Sequence, residues 1–154
     1  MTDRIELGGR LLVIFDGHCG FCNKSIRWFL RRDRNDRLRF VASESPIVAD
    51  LLARHGFASS DLESGPDTML AVRGAGGQDH PGGQVEQVMA RSDAAVAMLR
   101  VLPRPWPAVG RVFSWIPRPV RDLGYRLMAR WRYRIWGRLE ACPLATPEER
   151  EHFL

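Results

Sequence analysis

The chain has 154 residues, of which 45% are apolar and 27% are charged, a balance that is ordinary for a folded protein and excludes a disordered one. No apolar run approaches the roughly 20 residues that a membrane-spanning helix needs, and residues 1–6 lack the basic and apolar regions of a signal peptide. We therefore expect a cytoplasmic protein. The net charge of +5 lies entirely in residues 103–154, since residues 1–102 hold equal numbers of basic and acidic side chains.

Residues 8–102 alternate between apolar segments and turn residues in a way that predicts an α/β domain. Residues 11–15 are a short apolar run rich in β-formers, which is typical of a buried strand. A helix follows, on which Ile26, Phe29 and Leu30 share one face. In chain order we predict strand 11–15, helix 24–32, strand 38–42, helix 46–55, strand 68–72, strand 84–90 and helix 92–102. The order is β-α-β-α-β-β-α, with a glycine-rich loop at residues 73–83 before the last strand.

Residues 103–154 differ in kind and predict a helical extension. Prolines interrupt a stretch rich in tryptophan and arginine, with a short helix at 108–116 and a longer one at 119–136 that Gly137 ends. Apolar residues on the longer helix fall on one stripe: Val120, Leu123, Leu127 and Trp131. We expect this stripe, together with Trp115, to pack on the domain while the arginines stay in water.

The segment between the first strand and its helix contains two cysteines, Cys19 and Cys22, in a C-x-x-C arrangement. A C-x-x-C at the first βα turn is typical of a thioredoxin-like redox site. The first cysteine of such a pair lies at the positive end of the helix dipole, which favours its thiolate. We therefore predict that Cys19 attacks a substrate disulfide and Cys22 resolves the mixed disulfide, with Gly20 allowing close approach and Phe21 offering an apolar surface.

Three neighbouring or isolated side chains are further candidates. Asp16 ends the first strand and is either a turn carboxylate or a functional group, which would accept the proton of Cys22 or tune the dithiol electrostatically. His18 is either a solvated loop residue or, when protonated, a stabiliser of the Cys19 thiolate. Cys142 is either a structural thiol or an auxiliary thiol that reaches the C-x-x-C.

Other interpretations of the cysteines and of the basic segment stay open. The C-x-x-C is also consistent with half of a zinc site, although the sequence has no second closely spaced ligand pair, or with two structural thiols. Residues 103–138 contain nine arginines and one acid, with four tryptophans interleaved. Such a segment is also typical of a helix that contacts an anionic membrane or an acidic protein. The pI near 9.8 permits nucleic-acid contact, but no recognised binding motif supports it.

The D-x-x-C-x-x-C of Asp16, Cys19 and Cys22, preceded by a V-I-F-D strand, resembles the DCC family of thiol-disulfide oxidoreductases, which is named for those three residues. The resemblance covers nearly the whole chain and includes further short motifs: Lys24-Ser25, Arg32-Asp33, Arg39-Phe40, Ser92-Asp93-Ala94-Ala95, Ile116-Pro117-Arg118, Arg121-Asp122 with Tyr125, Arg132-Tyr133-Arg134 and the Gly137…Cys142…Pro147 tail.

The resemblance implies a thioredoxin-like fold with the dithiol as active site, and it supplies no substrate. Thioredoxins place a cis-proline before the third strand, whereas Asp67 holds that position here and Pro66 lies one residue early. We expect an enzyme that exchanges electrons with disulfide substrates and with a dithiol donor or acceptor, without a bound cofactor. A non-catalytic thioredoxin-fold binding module that uses its basic helices, and a metal-binding protein that uses the same thiols, are the alternatives.

Overall fold

The structure is a computed structural model and describes residues 10–46, 48–49, 53, 69–73, 87–137, 147 and 151–153. Its elements in chain order are β1 (Leu11–Phe15), α1 (Gly20–Leu30), β2 (Leu38–Ala42), β3 (Leu70–Arg73), β4 (Gln87–Ala90), α2 (Ser92–Val101), α3 (Trp106–Trp115) and α4 (Arg118–Trp136). Between β2 and β3, the described residues 46, 48, 49 and 53 are helical, which agrees with the helix predicted after Ser45.

The described strands form one sheet in the order β2-β1-β3-β4. Strands β1 and β2 are parallel, with Leu11 opposite Leu38, as a connection through a crossover helix requires. Strand β3 is antiparallel to both β1 and β4. This mixed sheet with helices packed on it is the thioredoxin-like α/β architecture that the element order predicted.

Strand β1 is buried on both faces, which explains why its sequence is continuously apolar instead of alternating. Leu11, Val13 and Phe15 face one layer of the core, with α1 and α2. Leu12 and Ile14 face the other layer. The end of β1 is therefore held from both sides, and the residues that follow it start from a rigid element.

The C-x-x-C helix begins four residues before its predicted start, because Cys19 caps it. The Cys19 backbone is extended and its sulfur accepts a hydrogen bond from the Cys22 N–H, which satisfies one of the free donors of the first turn. The helix ends at Leu30. Beyond it, the buried carboxylate of Asp33 accepts hydrogen bonds from the N–H groups of Arg37 and Leu38, which leads the chain into β2.

Helix α4 is anchored at its N-terminal half by polar contacts to α2. The carboxylate of Asp122 accepts a hydrogen bond from the Ser92 hydroxyl, and Arg121 pairs with Asp93 at 3.0 Å. One turn further along, the Tyr125 hydroxyl accepts a hydrogen bond from the Met69 N–H beside β3. The contact side of α4 is therefore hydrogen-bonded and ion-paired.

The prediction that the apolar stripe of this extension packs on the domain was wrong. Val120, Leu123, Leu127, Trp131 and Trp115 are each at least half exposed. The prediction that the arginines stay in water was also wrong for Arg121 and Arg132, whose side chains are 8% and 5% exposed. Polar contacts to α2 and to the cysteine site fix the rotation of α4 about its axis, and the apolar stripe consequently faces outward. None of the described helices combines the length and apolar character that crossing a membrane requires.

Candidate active site

Asp16, Cys19 and Cys22 come together where β1 ends and α1 begins. Asp16 directly follows β1, and its main-chain oxygen accepts a hydrogen bond from the Cys19 N–H at 3.3 Å. Cys19 and Cys22 approach within 3.2 Å of each other, and both are free thiols. The side-chain amide of Asn23 donates to the main-chain oxygens of Gly17 and Cys19, both at 3.0 Å, which fixes this turn. The sequence interpretation did not single out Asn23.

Cys19 is fully buried, yet its surroundings favour the thiolate. The pKa of Cys19 is lowered from 9.0 to about 6, first by a hydrogen bond from the Cys22 thiol, then by the Cys22 N–H, the positive charge of Arg132 and the Phe21 N–H, while burial opposes the shift. Relative to an ordinary thiol of pKa 9.0, this shift corresponds to about 4 kcal/mol of added preference for the thiolate. Cys19 is therefore ionised at neutral pH.

Cys22 behaves in the opposite way. Its pKa is raised far above the ordinary value, first by the hydrogen bond it gives to Cys19, then by burial and by the negative charges of Cys19 and Asp16. Arg132 opposes this rise. Two thiols whose pKa values move apart are suited to different roles, one as nucleophile and one as a proton-bearing partner.

Arg132 is the site residue that the sequence interpretation missed. It lies on α4, is 4% exposed, and donates a hydrogen bond from Nη1 to Cys22 Sγ at 3.3 Å. Its other terminal nitrogen lies 3.5 Å from Asp16 Oδ2. One guanidinium thus contacts both the Cys22 thiol and the Asp16 carboxylate.

A signal for Arg132 was present in the sequence. Arg132 lies on the same side of α4 as Tyr125 and Ala129, at spacings of seven and three residues. Ala129 is buried, and the Tyr125 hydroxyl accepts a hydrogen bond from the Met69 N–H, just before β3. Ala129, a small residue, and Asp122, the single acid of residues 103–138, share this side of α4. This side was therefore a candidate for the side that contacts the domain, although it also carries arginines.

The C-terminal end of α4 covers the start of α1. A Cβ on Gly20 would lie 2.9 Å from the main-chain oxygen of Trp136, so only glycine fits there. The ring of Phe21 packs on the indole of Trp136 with 4.8 Å between centroids. At Gly20 the close approach is therefore that of the α4 main chain. The apolar surface expected at Phe21 is covered by Trp136.

Asp16 and His18 shape the approach to the pair. The Asp16 carboxylate accepts a hydrogen bond from the His18 N–H at 2.9 Å, which is the turn role that the sequence allowed. The same carboxylate raises the pKa of Cys22, which is the electrostatic role. The His18 imidazole lies 3.5 Å from Glu44, with both side chains partly exposed.

The chain is similar to known proteins over the whole of this site. The family model of the DCC1-like thiol-disulfide oxidoreductases matches residues 13–138, which include Asp16, both cysteines and Arg132. The chain belongs to this family. The fold and the family expected from the sequence are therefore confirmed.

Two curated relatives of this DCC1-like protein cover most of its length. The uncharacterized protein YuxK of Bacillus subtilis is 27% identical over 143 residues, 93% of this chain and 93% of YuxK. The chloroplastic DCC family protein At1g52590 of Arabidopsis thaliana is 28% identical over 135 residues, 88% of this chain and 70% of the relative. No solved structure gives a significant match.

Two candidate residues of the DCC1-like protein, Asp67 and Cys142, lie outside the described residues, so their predicted roles stay predictions. Among the residues that the structure does describe, one group could hold a metal ion: Asp33, Asp36 and His152. It does not include the cysteines. Asp36 also pairs with Arg10 and Arg39, and these arginines hold its pKa well below the ordinary value.

Proposed function

We propose that this DCC1-like protein is a thiol-disulfide oxidoreductase with Cys19 as nucleophile and Cys22 as resolving thiol. The observation that carries the proposal is the geometry of the pair: two free thiols lie 3.2 Å apart at the start of α1, and the Cys22 N–H donates to Cys19 Sγ at 3.4 Å. The hydrogen bond between the two thiols moves their pKa values apart, with Cys19 at about 6 and Cys22 raised. The name of the family supports the same reaction class. A thiolate is the attacking species in disulfide exchange, and the protonated partner is held ready for the second step.

In the reducing direction the Cys19 thiolate attacks one sulfur of a substrate disulfide. The substrate S–S bond breaks as the mixed disulfide forms, and the departing substrate thiolate takes a proton from water. Cys22 then loses its proton and attacks Cys19 Sγ, which releases the second substrate thiol. Two electrons pass to the substrate and a Cys19–Cys22 disulfide remains, which a dithiol donor reduces. The oxidising direction is the same sequence reversed.

Arg132 and Asp16 serve the two steps differently. The Arg132 guanidinium lowers the pKa of both thiols, so it favours the attacking thiolate and later the ionisation of Cys22. Asp16 provides a carboxylate at 3.5 Å from Arg132 that accepts the proton released by Cys22. Once Cys19 is in the mixed disulfide, its charge and hydrogen bond no longer hold the Cys22 proton, so the pKa of Cys22 falls before resolution.

Access to Cys19 requires a local movement. The residue is fully buried, and its neighbour Phe21 is packed against Trp136. We place the opening at the C-terminal end of α4, where displacement of the Trp136 indole uncovers the first turn of α1. The cytoplasmic location expected from the sequence stays a prediction.

The test is turnover of a protein disulfide, such as insulin, together with trapping of the mixed disulfide. Wild type should reduce insulin with a dithiol donor, Cys19→Ser should be inactive, and Cys22→Ser should accumulate one mixed disulfide at Cys19. The reduction potential then sets the direction, with about −270 mV favouring a reductant and about −120 mV an oxidant. Equal activity of wild type and Cys19→Ser would refute the proposal.

A further inference from the structure

Helices α3 and α4 leave an apolar surface exposed. On α4 it consists of the outer row Val120, Leu123, Leu127 and Trp131, which are 58%, 58%, 51% and 50% exposed. On α3, Trp115 is also exposed, at 80%. Exposed apolar patches bordered by polar groups mark interaction sites, whereas single exposed apolar residues do not. Residues in the outer row recur at helical spacing, so they form a continuous strip.

A row of arginines borders the outer row. Arg126, Arg130 and Arg134 follow one another at four-residue intervals and therefore lie along one side of α4. All three are exposed, and Arg134 lies over the Trp131 ring with 5.7 Å to its centroid. The acid of this helix, Asp122, accepts a hydrogen bond from Ser92 on the contact side. The outward side of α4 is thus apolar along its centre and basic along one edge.

We propose that this surface docks on an anionic membrane. The outer row would lie at the boundary of the acyl chains, and the arginines would reach the lipid phosphates along their apolar stems. A helix with tryptophan and leucine on one side, arginine at the border and no exposed acid has the composition of helices that lie in the membrane interface.

Charge and surface chemistry argue against two other occupants. A second copy of the chain, docked through the same surface, would bring like-charged arginine rows together. Nucleic acid would pair with the arginines, but its phosphates would leave the aliphatic outer row in water. An acidic polypeptide remains as an outcome that the experiment separates from the membrane.

The proposed surface and the cysteine site lie on different sides of α4. Arg132 belongs to the buried contact side and touches Cys22, whereas the outer row and the arginine row face away. Docking therefore leaves the contacts of the dithiol in place. Variants on the outward side should leave Cys19 alkylation unchanged, which provides an independent check that the fold is intact.

The experiment is sedimentation of the full chain with vesicles of phosphatidylcholine alone or mixed in equal parts with phosphatidylglycerol. Wild type should bind the anionic vesicles, and binding should weaken with added salt. Leu127→Ser/Trp131→Ser and Arg126→Gln/Arg130→Gln should each lower the affinity by at least ~10-fold. The matched control Arg34→Gln/Arg37→Gln removes the same charge from exposed loop residues and should lower it much less.

Three results would overturn the proposal. The first is no binding to anionic vesicles at low salt. The second is equal loss of binding in the surface variants and in Arg34→Gln/Arg37→Gln, since the protein would then bind through its overall charge. The third is protein binding through this surface without vesicle binding. It would appear as a concentration-dependent dimer, or as a complex with polyglutamate, that Leu127→Ser/Trp131→Ser abolishes.

Discussion

Replacing Arg132 by methionine tests how the extension contributes to the chemistry of the thiols. Methionine keeps much of the apolar stem but removes the charge that lies 3.3 Å from Cys22 Sγ. With the two thiols 3.2 Å apart, the guanidinium nitrogen lies no more than about 6.5 Å from Cys19, a distance at which Coulomb attraction at an effective dielectric constant of about 20 is roughly 3 kcal/mol.

The expected change in the pKa of Cys19 is smaller than this Coulomb energy alone implies, because Arg132 is not the main cause of the lowered pKa. Two hydrogen bonds from Cys22 lower this pKa more than Arg132 does, and both survive the substitution. We therefore expect Arg132→Met to raise the pKa of Cys19 by about one pH unit, at the lower end of what a neighbouring opposite charge produces. The Cys19 thiolate at pH 6 should then fall about fivefold, while at pH 9 it should hardly change.

The assay is the pH dependence of Cys19 alkylation by iodoacetamide, read by mass spectrometry on reduced protein. Arg130→Met is the matched control, because Arg130 is an exposed arginine on the same helix. Arg132→Lys keeps a positive charge and should restore most of the wild-type profile. Identical alkylation midpoints for Arg132→Met and Arg130→Met would show that the buried guanidinium has no influence on Cys19.

Three further predictions concern the same site. Asp16→Asn should slow resolution of a trapped mixed disulfide by ~10-fold, measured by stopped flow, because the variant cannot accept the Cys22 proton, even though loss of the charge lowers the pKa of Cys22. Unchanged resolution would leave Asp16 as a turn carboxylate. Between about pH 6 and 9, the free energy of unfolding of the reduced protein should rise by about 1.4 kcal/mol per pH unit relative to Cys19→Ser. In this range the unfolded Cys19 thiol, with a pKa of 9.0, still holds the proton that native Cys19 has lost. Parallel denaturation profiles for the two proteins would contradict this. Trp136→Ala should speed alkylation of Cys19 by a bulky maleimide more than alkylation by iodoacetamide, whereas Trp131→Ala, at an exposed position, should change neither rate. Equal maleimide rates for the two variants would place the opening elsewhere.

Much of the fold could be predicted because local patterns and tertiary structure agree in the first two thirds of the chain. Strand β1 runs over the predicted residues 11–15, since a strand buried on both faces must be continuously apolar. Strand β2 likewise matches its prediction, while the predicted starts of β3 and β4 lie outside the described residues. The start of α1 was misplaced because the cap is a cysteine, which is not a usual capping residue.

The extension could not be predicted in the same way because its packing does not follow hydrophobicity. The apolar stripe of α4 indicated a buried side, but Asp122, Tyr125 and Arg132 find hydrogen-bonding partners on the domain and fix the opposite side there. Such partners are far away in the sequence; Arg132 is 110 residues from Cys22. The roles proposed for Cys19 and Cys22 follow from their local sequence, whereas the contact of Arg132 with Cys22 is visible only in the tertiary structure.

The redox state of Cys19 and Cys22 in defined glutathione buffers shows whether they form a redox-active pair. Reduced protein is equilibrated across a series of glutathione ratios, quenched, alkylated and mapped by mass spectrometry. Cys19 and Cys22 should lose their thiols together, in one two-electron transition, to a disulfide that joins them. A protein in which Cys19 and Cys22 stay reduced at every ratio, or in which Cys19 pairs with Cys142 while Cys22 remains free, would contradict this prediction.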